Sequence, residues 1–127
     1  MLRCDPIRPA IIKGNMSNYF ESEDLKKFGH IGDKHAKKMA EEFFRYYGAI
    51  TGSDTALSKR EKALIALAVA HSEKCPYCID AYTTGCLEAG ANPEQMMEAV
   101  HVAATMRAGI TLAHSIQMQN HLEKLVL

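Results

Sequence analysis

The sequence lacks an excess of charge of either sign, because 15 Lys and Arg residues balance 15 Asp and Glu residues in a chain of 127 residues. A protein that binds nucleic acid through phosphate contacts needs a basic surface, so this composition argues against a nucleic-acid partner. Balanced charge also leaves little repulsion between copies and suits self-association as well as a monomer. The length fits one domain built around one hydrophobic core.

Long hydrophobic runs are absent too. A membrane-spanning helix needs about 20 apolar residues, and Lys, Glu or His interrupts every apolar run of this sequence. The first 15 residues have no apolar centre of the kind found in signal peptides. We therefore predict no membrane partner and a cytoplasmic location. Residues 1–16 are expected to form a poorly ordered extension, and residues 17–127 a single domain.

No segment shows the alternating pattern of a β-strand, and apolar residues recur instead at spacings of three and four. The sequence therefore predicts an all-α bundle of about six helices. Asp33 is a candidate cap for the second helix, and Gly109 is expected to mark a bend or a break between the last two helices. The predicted helices cover about 22–28, 33–48, 59–70, 76–89, 93–107 and 110–125.

Two helix starts carry strong local signals. Ser58 and Glu61 match a capping box, as do Asn92 and Gln95. The segment 63–70 that follows the first box is apolar nearly all round, which predicts a fully buried helix.

The four cysteines are unevenly spaced, and three of them, Cys75, Cys78 and Cys86, fall within twelve residues. Clustered thiols in a reducing compartment indicate redox or metal chemistry. Cys75 and Cys78 open a predicted helix, where free backbone N–H groups and the positive end of the helix dipole favour a thiolate. They are also close enough in sequence to form a disulfide. We expect Cys86 to be a core residue and assign no role to Cys4.

Four other side chains are candidates for moving a proton at this site. Tyr82 follows Cys78 by one turn on the same face, and it can donate a hydrogen bond or simply pack. His71 lies at the end of the preceding helix, where it can relay protons or cap that helix. His101 has the apolar neighbours of a core histidine, and Glu61 is already explained by its capping box.

Three segments together resemble the alkylhydroperoxidase-D-like, or carboxymuconolactone decarboxylase, family over roughly residues 36–120: the Cys75-Pro76-Tyr77-Cys78 pair, the apolar run 61–70 and the segment 98–104. Within that family, residues 63–80 resemble the peroxidase-like proteins associated with arsenosugar biosynthesis. The resemblance implies an all-helical fold that assembles as trimers or hexamers.

The resemblance also implies a thiol-dependent peroxidase or disulfide oxidoreductase that needs no prosthetic group. The cysteine matching Cys78 attacks a hydroperoxide, the one matching Cys75 resolves the sulfenic acid as a disulfide, and a thiol or dithiol reductant restores both. Simple dipole reasoning leaves this order open, because a helix N-terminus can equally activate the first thiol. The decarboxylase branch lacks the cysteine pair, so decarboxylation is not expected.

The sequence departs from the family pattern where the proton relay belongs. Tyr82 stands at the family's histidine position, and Ala63 at its glutamate position. The relay must be rebuilt from His71, Glu61, His101 or Tyr82, or it is absent and the protein is a slow peroxidase.

Two other functions remain open from the sequence. Cys75, Cys78 and His71 can hold zinc or trivalent arsenic, although a structural zinc site normally has a fourth ligand and the sequence has no second C-x-x-C pair. A degenerate family member that serves only as an assembly partner is the other alternative. We expect no bound metal or cofactor.

Overall fold

The computed structural model describes residues 19–125, and over this range the chain is helical with no strand. The all-α prediction is confirmed. The predicted extension at residues 1–16, and with it Cys4, lies outside the described residues. The described part contains a 3-10 helix, Ser22–His30, followed by α1 (Lys37–Thr51), α2 (Lys59–Ser72), α3 (Pro76–Glu88) and α4 (Pro93–Lys124).

Both predicted capping boxes are formed. The Ser58 hydroxyl accepts the Glu61 N–H at 3.1 Å, and the Glu61 carboxylate accepts the Ser58 N–H at 2.6 Å. At α4, Asn92 and Gln95 exchange the equivalent bonds at 2.8 and 3.0 Å. These bonds satisfy N–H groups that the first turn of a helix leaves without partners, so they fix where α2 and α4 begin.

The predicted break at Gly109 is wrong, and α4 runs through it as one helix of 32 residues. A glycine costs a helix only about 1 kcal/mol relative to alanine and, unlike proline, keeps its N–H donor. The good helix formers on both sides therefore carry the helix through this position. For this reason the described residues contain five helices where the sequence predicted about six.

The boundaries predicted for α1 also shift. Asp33 does not cap this helix, because its carboxylate lies 3.0 Å from His30 Nδ1. Ala36, in the left-handed region at φ 56°, directly precedes the helix instead. At the other end the helix passes through Gly48 and ends at Thr51, again because glycine permits helical backbone.

The core lies where α2 packs against α3 and α4. Leu67 and Cys86, the largest fully buried side chains, meet there, and Tyr82 packs against them. The prediction that α2 is buried all round is wrong, because Ile65 and Val69 are 51% and 55% exposed. Within the described chain no other element covers that side of the helix. In residues 19–125 we also find no helix whose length and apolar character would let it cross a lipid bilayer.

Candidate thiol site

The backbone at the end of α2 fixes the position of Cys75. Lys74 adopts the left-handed conformation at φ 55°, and the Cys75 N–H reaches back to the Ala70 carbonyl at 3.0 Å. This is the hydrogen-bond pattern of a helix C-terminal cap, which reverses the chain immediately before α3. The first thiol of the pair is therefore held by the backbone of α2.

Cys75 is also the N-cap residue of α3, and its sulfur accepts the N–H of Cys78 at 3.3 Å. Pro76 occupies the first turn, where its missing N–H costs no hydrogen bond. Helix N-termini favour negative charge because their free N–H groups and dipole point outward. The Cys75 sulfur thus lies beside the free N–H groups of the first turn of α3.

The two sulfurs lie 2.7 Å apart and share a hydrogen bond. Both thiols are free, and both side chains are half-buried. Burial, followed by the hydrogen bond with Cys75, raises the pKa of Cys78 to about 11. Cys78 therefore keeps its proton at neutral pH, while its sulfur stays within reach of Cys75.

A cavity of about 360 Å³ opens onto both cysteines between the 3-10 helix, α1 and α3. Its charged lining residues, Asp24 and Lys27, form an ion pair at 2.5 Å and so largely neutralise each other. The remaining wall is made of aromatic and aliphatic side chains, which suits a neutral organic molecule. These side chains are Leu25, Phe28, Tyr47, Tyr77, Ala81 and Tyr82.

Ring contacts hold the 3-10 helix over this cavity. Phe28 packs edge-on against Phe44 and Tyr47 of α1, with ring centroids 5.3 and 5.7 Å apart. Phe20 makes a similar contact with Tyr77 of α3 at 4.7 Å. Such contacts add to the stability gained from burial alone. The segment before α1 therefore serves as a roof for the thiols.

Tyr82 extends the site one turn beyond Cys78, and its hydroxyl is hydrogen-bonded to that of Tyr47. Burial and this hydrogen bond raise the pKa of Tyr82 above its ordinary value, with a smaller contribution from the nearby Cys78. Tyr82 therefore stays protonated over the physiological range. It can donate a proton or hydrogen bond in the cavity, but it is a poor base.

His71 does not join the cysteines. Its Nδ1 lies 2.9 Å from the Leu67 carbonyl, which can only accept, so Nδ1 carries the hydrogen. The ring lines a separate cavity with Met96 and Val100 of α4. Of the two interpretations offered for His71, this geometry fits a bond to the end of α2 rather than a proton relay.

Glu61 and His101 also lie outside the cysteine cavity. Hydrogen bonds from Ser58 hold the pKa of Glu61 below its usual range, as expected for a capping carboxylate. His101 is exposed on α4 rather than packed in the core. Ala63 is buried against the core and offers no titratable group. Of the six predicted site residues, the cavity thus brings together Cys75, Cys78 and Tyr82.

Residues 37–119 match the carboxymuconolactone decarboxylase family. The chain belongs to this family. In addition, 63 residues are 54% identical to the Uncharacterized protein 4 in cox locus of Paracoccus denitrificans, a description that states no activity. That match covers 50% of this chain and 57% of the relative. The resemblance to the carboxymuconolactone decarboxylase family seen in the sequence is confirmed.

The family match begins at the first residue of α1 and includes the cysteine pair, Tyr47 and Tyr82. It leaves out the 3-10 helix, which supplies Leu25 and Phe28 to the cavity. The roof of the site thus lies outside the matched family region.

Sequence reasoning missed Tyr47 and Phe28 as site residues. Tyr47 lies on α1, and its hydrogen-bond partner Tyr82 is 35 residues away in sequence. No short motif connects positions that far apart. Phe28 lies in a segment whose placement depends on ring contacts with α1, so its role becomes visible only in three dimensions.

Cys75, Cys78 and His71, the predicted zinc or arsenic ligands, do not come together as one site in the described residues. Within residues 19–125, no three His, Cys, Asp or Glu side chains converge as metal ligands. Two cysteines alone leave a zinc ion short of its usual four ligands.

Proposed function

We propose that the protein is a thiol-dependent peroxidase or disulfide oxidoreductase that cycles Cys75 and Cys78 between dithiol and disulfide. One observation supports this most directly: two free sulfurs lie 2.7 Å apart at a helix N-terminus and open onto a cavity. Family membership supports it further, since the family resemblance includes peroxidases with such a pair. No prosthetic group is required, because the thiols themselves supply two electrons.

The substrate in this proposal is a hydroperoxide with an apolar body. The cavity of about 360 Å³ has room for a small organic molecule. Among the described residues, its charged lining side chains, Asp24 and Lys27, pair with each other and together carry no net charge that would attract an ionic group. A thiol or dithiol donor reduces the disulfide again by exchange. A cytoplasmic location is part of the proposal, since that compartment keeps thiols reduced.

The deciding experiment is mass spectrometry of the reduced protein before and after one equivalent of cumene hydroperoxide. We expect the loss of two hydrogens, mapped by peptide analysis to a bond between Cys75 and Cys78. Cys86, fully buried, is the internal control and should remain a free thiol. An unchanged mass would refute the proposal. Near-stoichiometric zinc or arsenic in the purified protein would then favour a metal-binding module, and its absence an assembly partner.

Tyr82 is expected to donate the proton that the departing alkoxide needs. The Tyr82→Phe substitution should slow disulfide formation by about 10²-fold, the lower end of what general acid catalysis contributes, because water can enter the open cavity as a substitute. Stopped-flow measurement with cumene hydroperoxide gives the rate. Tyr46→Phe is the matched control, since Tyr46 lies on α1 but is 63% exposed. Equal rates in the two variants would remove Tyr82 from the mechanism.

We also propose that the protein is a homo-oligomer, a trimer or hexamer as the resemblance implies. Val102, Met106 and Ile110 follow one another at four-residue spacing on α4, and each is 56–58% exposed. Exposed apolar side chains in such a row are typical of a contact surface. Light scattering should therefore give a mass several times 14.1 kDa. Ile110→Glu should lower that mass, whereas Leu57→Glu in the α1–α2 loop should not; a monomeric unmodified protein would contradict the proposal.

A further inference from the structure

We propose that the roof of the cysteine cavity, the 3-10 helix Ser22–His30, selects the oxidant. In this proposal Leu25 and Phe28 bind the carbon body of an uncharged organic hydroperoxide and so favour it over hydrogen peroxide. This inference rests on the proposed function. It concerns which oxidant reaches the thiols, not whether the thiols react, so it can fail while the dithiol cycle stands.

The roof supplies a part of the cavity that the family region does not provide. Leu25 and Phe28 line the cavity from the 3-10 helix, which precedes the matched residues 37–119. Both cysteines line the same cavity from the start of α3, inside the matched region. The groups that react and the groups proposed to recognise the substrate thus lie on separate segments. A change in the second set can therefore alter selectivity without removing the thiols.

Hydrogen bonds fix the beginning of the roof to α3, close to the cysteines. The Tyr77 hydroxyl donates to the Tyr19 carbonyl at 3.0 Å, and the Ser22 hydroxyl donates to the Asp80 carboxylate at 2.9 Å. Tyr77 lies between the two cysteines in sequence, and Asp80 follows Cys78 by two residues. The roof is thus anchored on the turn of α3 that carries the thiols.

The end of the roof is anchored on α1, and this contact fixes Phe28. Its ring packs edge-on against Phe44 and Tyr47, with ring centroids 5.3 and 5.7 Å apart. A side chain already held by its neighbours loses little conformational freedom when a ligand binds. Phe28 is still 40% exposed and lines the cavity, so part of the ring is available to a bound molecule. It therefore forms a preorganised apolar wall.

The two classes of oxidant differ in what this wall can bind. An organic hydroperoxide can place its O–OH group at the sulfurs and its carbon body against the wall, where apolar surface is removed from water. Hydrogen peroxide has no apolar group and gains nothing from the same contact. The reaction itself is shared: the O–O bond breaks, and the dithiol loses two electrons and two protons to become a disulfide. The other products are an alcohol and one water from the organic hydroperoxide, or two waters from hydrogen peroxide.

The charges of the roof do not favour an anionic substrate. Asp24 and Lys27 line the cavity beside the apolar residues, and they form an ion pair at 2.5 Å. The Asp24 carboxylate thus occupies the cation that a carboxylated hydroperoxide would need. For this reason the proposed substrate class is uncharged.

The rate of disulfide formation in the full reduced protein tests the roof. Rapid-quench mass spectrometry gives this rate with cumene hydroperoxide and, separately, with hydrogen peroxide, and the readout is the ratio of the two rate constants. Phe28→Ala should lower that ratio by at least about tenfold, the lower end of what hydrophobic contacts contribute to substrate selectivity. Leu25→Ala should lower it too. Since Leu25 takes no part in the ring contacts with α1, its truncation tests the wall without loosening that anchor.

Ile31→Ala is the matched control, because Ile31 directly follows the roof, is 58% exposed and does not line the cysteine cavity. Its ratio should equal that of the unmodified protein. The inference is overturned if Phe28→Ala and Leu25→Ala keep the control's ratio, as they would if a purely structural change slowed both oxidants equally. Disulfide formation in the unmodified protein would then leave the proposed function intact. If the unmodified protein forms no disulfide with either oxidant, the proposed function fails and the selectivity of the roof fails with it.

Discussion

The Cys75→Ser and Cys78→Ser variants are each expected to lose catalytic turnover of an organic hydroperoxide, down to the rate of the double variant. Either change removes one of the two free thiols, whose sulfurs lie 2.7 Å apart, and so prevents the disulfide from forming. Without the second thiol, the sulfenic acid formed in the first step has no resolving partner in the cavity. Continuous consumption of cumene hydroperoxide, with thioredoxin as the dithiol donor, measures the loss. Small thiols are left out of the assay because they reduce a sulfenic acid directly and would replace the missing resolving thiol. Two residues that form one catalytic unit should lose as much singly as together.

Cys86→Ala is the matched control for both cysteine variants. Cys86 lies two turns beyond Cys78 on α3, but its side chain is fully buried in the core and does not line the cavity. Its removal should leave turnover unchanged once the folded fraction is accounted for. Full turnover in either serine variant would show that the pair is not the redox centre.

The parts of the fold that sequence reasoning located correctly are those fixed by local chemistry. The capping boxes at Ser58 and Asn92 each satisfy orphan N–H groups within four residues, so no distant contact is needed to start those helices. The predicted start of the helix at residue 76 is likewise confirmed, since Pro76 occupies the first turn of α3. Signals of this kind are readable because their donors and acceptors are neighbours in sequence.

The parts that were wrong depend on tertiary context. Gly109 is a breaker by propensity, but its cost of about 1 kcal/mol is small beside the cooperativity of a long helix. Asp33 had the residue type of a cap, yet its carboxylate lies beside His30 instead. The apolar run of α2 predicted complete burial, although Val69 is 55% exposed in the described chain.

The candidate site likewise contains residues that local sequence spacing identifies and residues that only tertiary packing brings to it. Cys75, Cys78 and Tyr82 were predictable together, because residues three or four apart are neighbours on one face of a helix. Tyr47 and the roof formed by Phe28 reach the site only through packing of α1 and the 3-10 helix. His71 lies four residues before Cys75 in sequence, but its ring lines another cavity, where Nδ1 is hydrogen-bonded to the Leu67 carbonyl.

Leu67→Ala is expected to be among the most destabilising single substitutions in the described chain. Leu67 is 2% exposed and fills the space between α2, α3 and α4 with Cys86. Truncating a buried leucine costs about 2–5 kcal/mol, as lost burial plus the cavity left behind. Domains of this size have an unfolding free energy of about 5–15 kcal/mol, so this one substitution removes a large part of it. Urea unfolding followed by circular dichroism, at fixed protein concentration, measures the loss.

Leu87→Ala provides the control, because Leu87 lies on α3 but is 53% exposed, and its truncation should cost less than about 1 kcal/mol. The same pair of variants also separates folding from chemistry. Cys75 is held by a backbone hydrogen bond to Ala70 and caps α3 with its own sulfur, so neither contact involves the Leu67 side chain. The folded fraction of Leu67→Ala should therefore still form the disulfide at the normal rate in low temperature assays. Equal unfolding free energies for the two leucine variants would place the core elsewhere than between α2, α3 and α4.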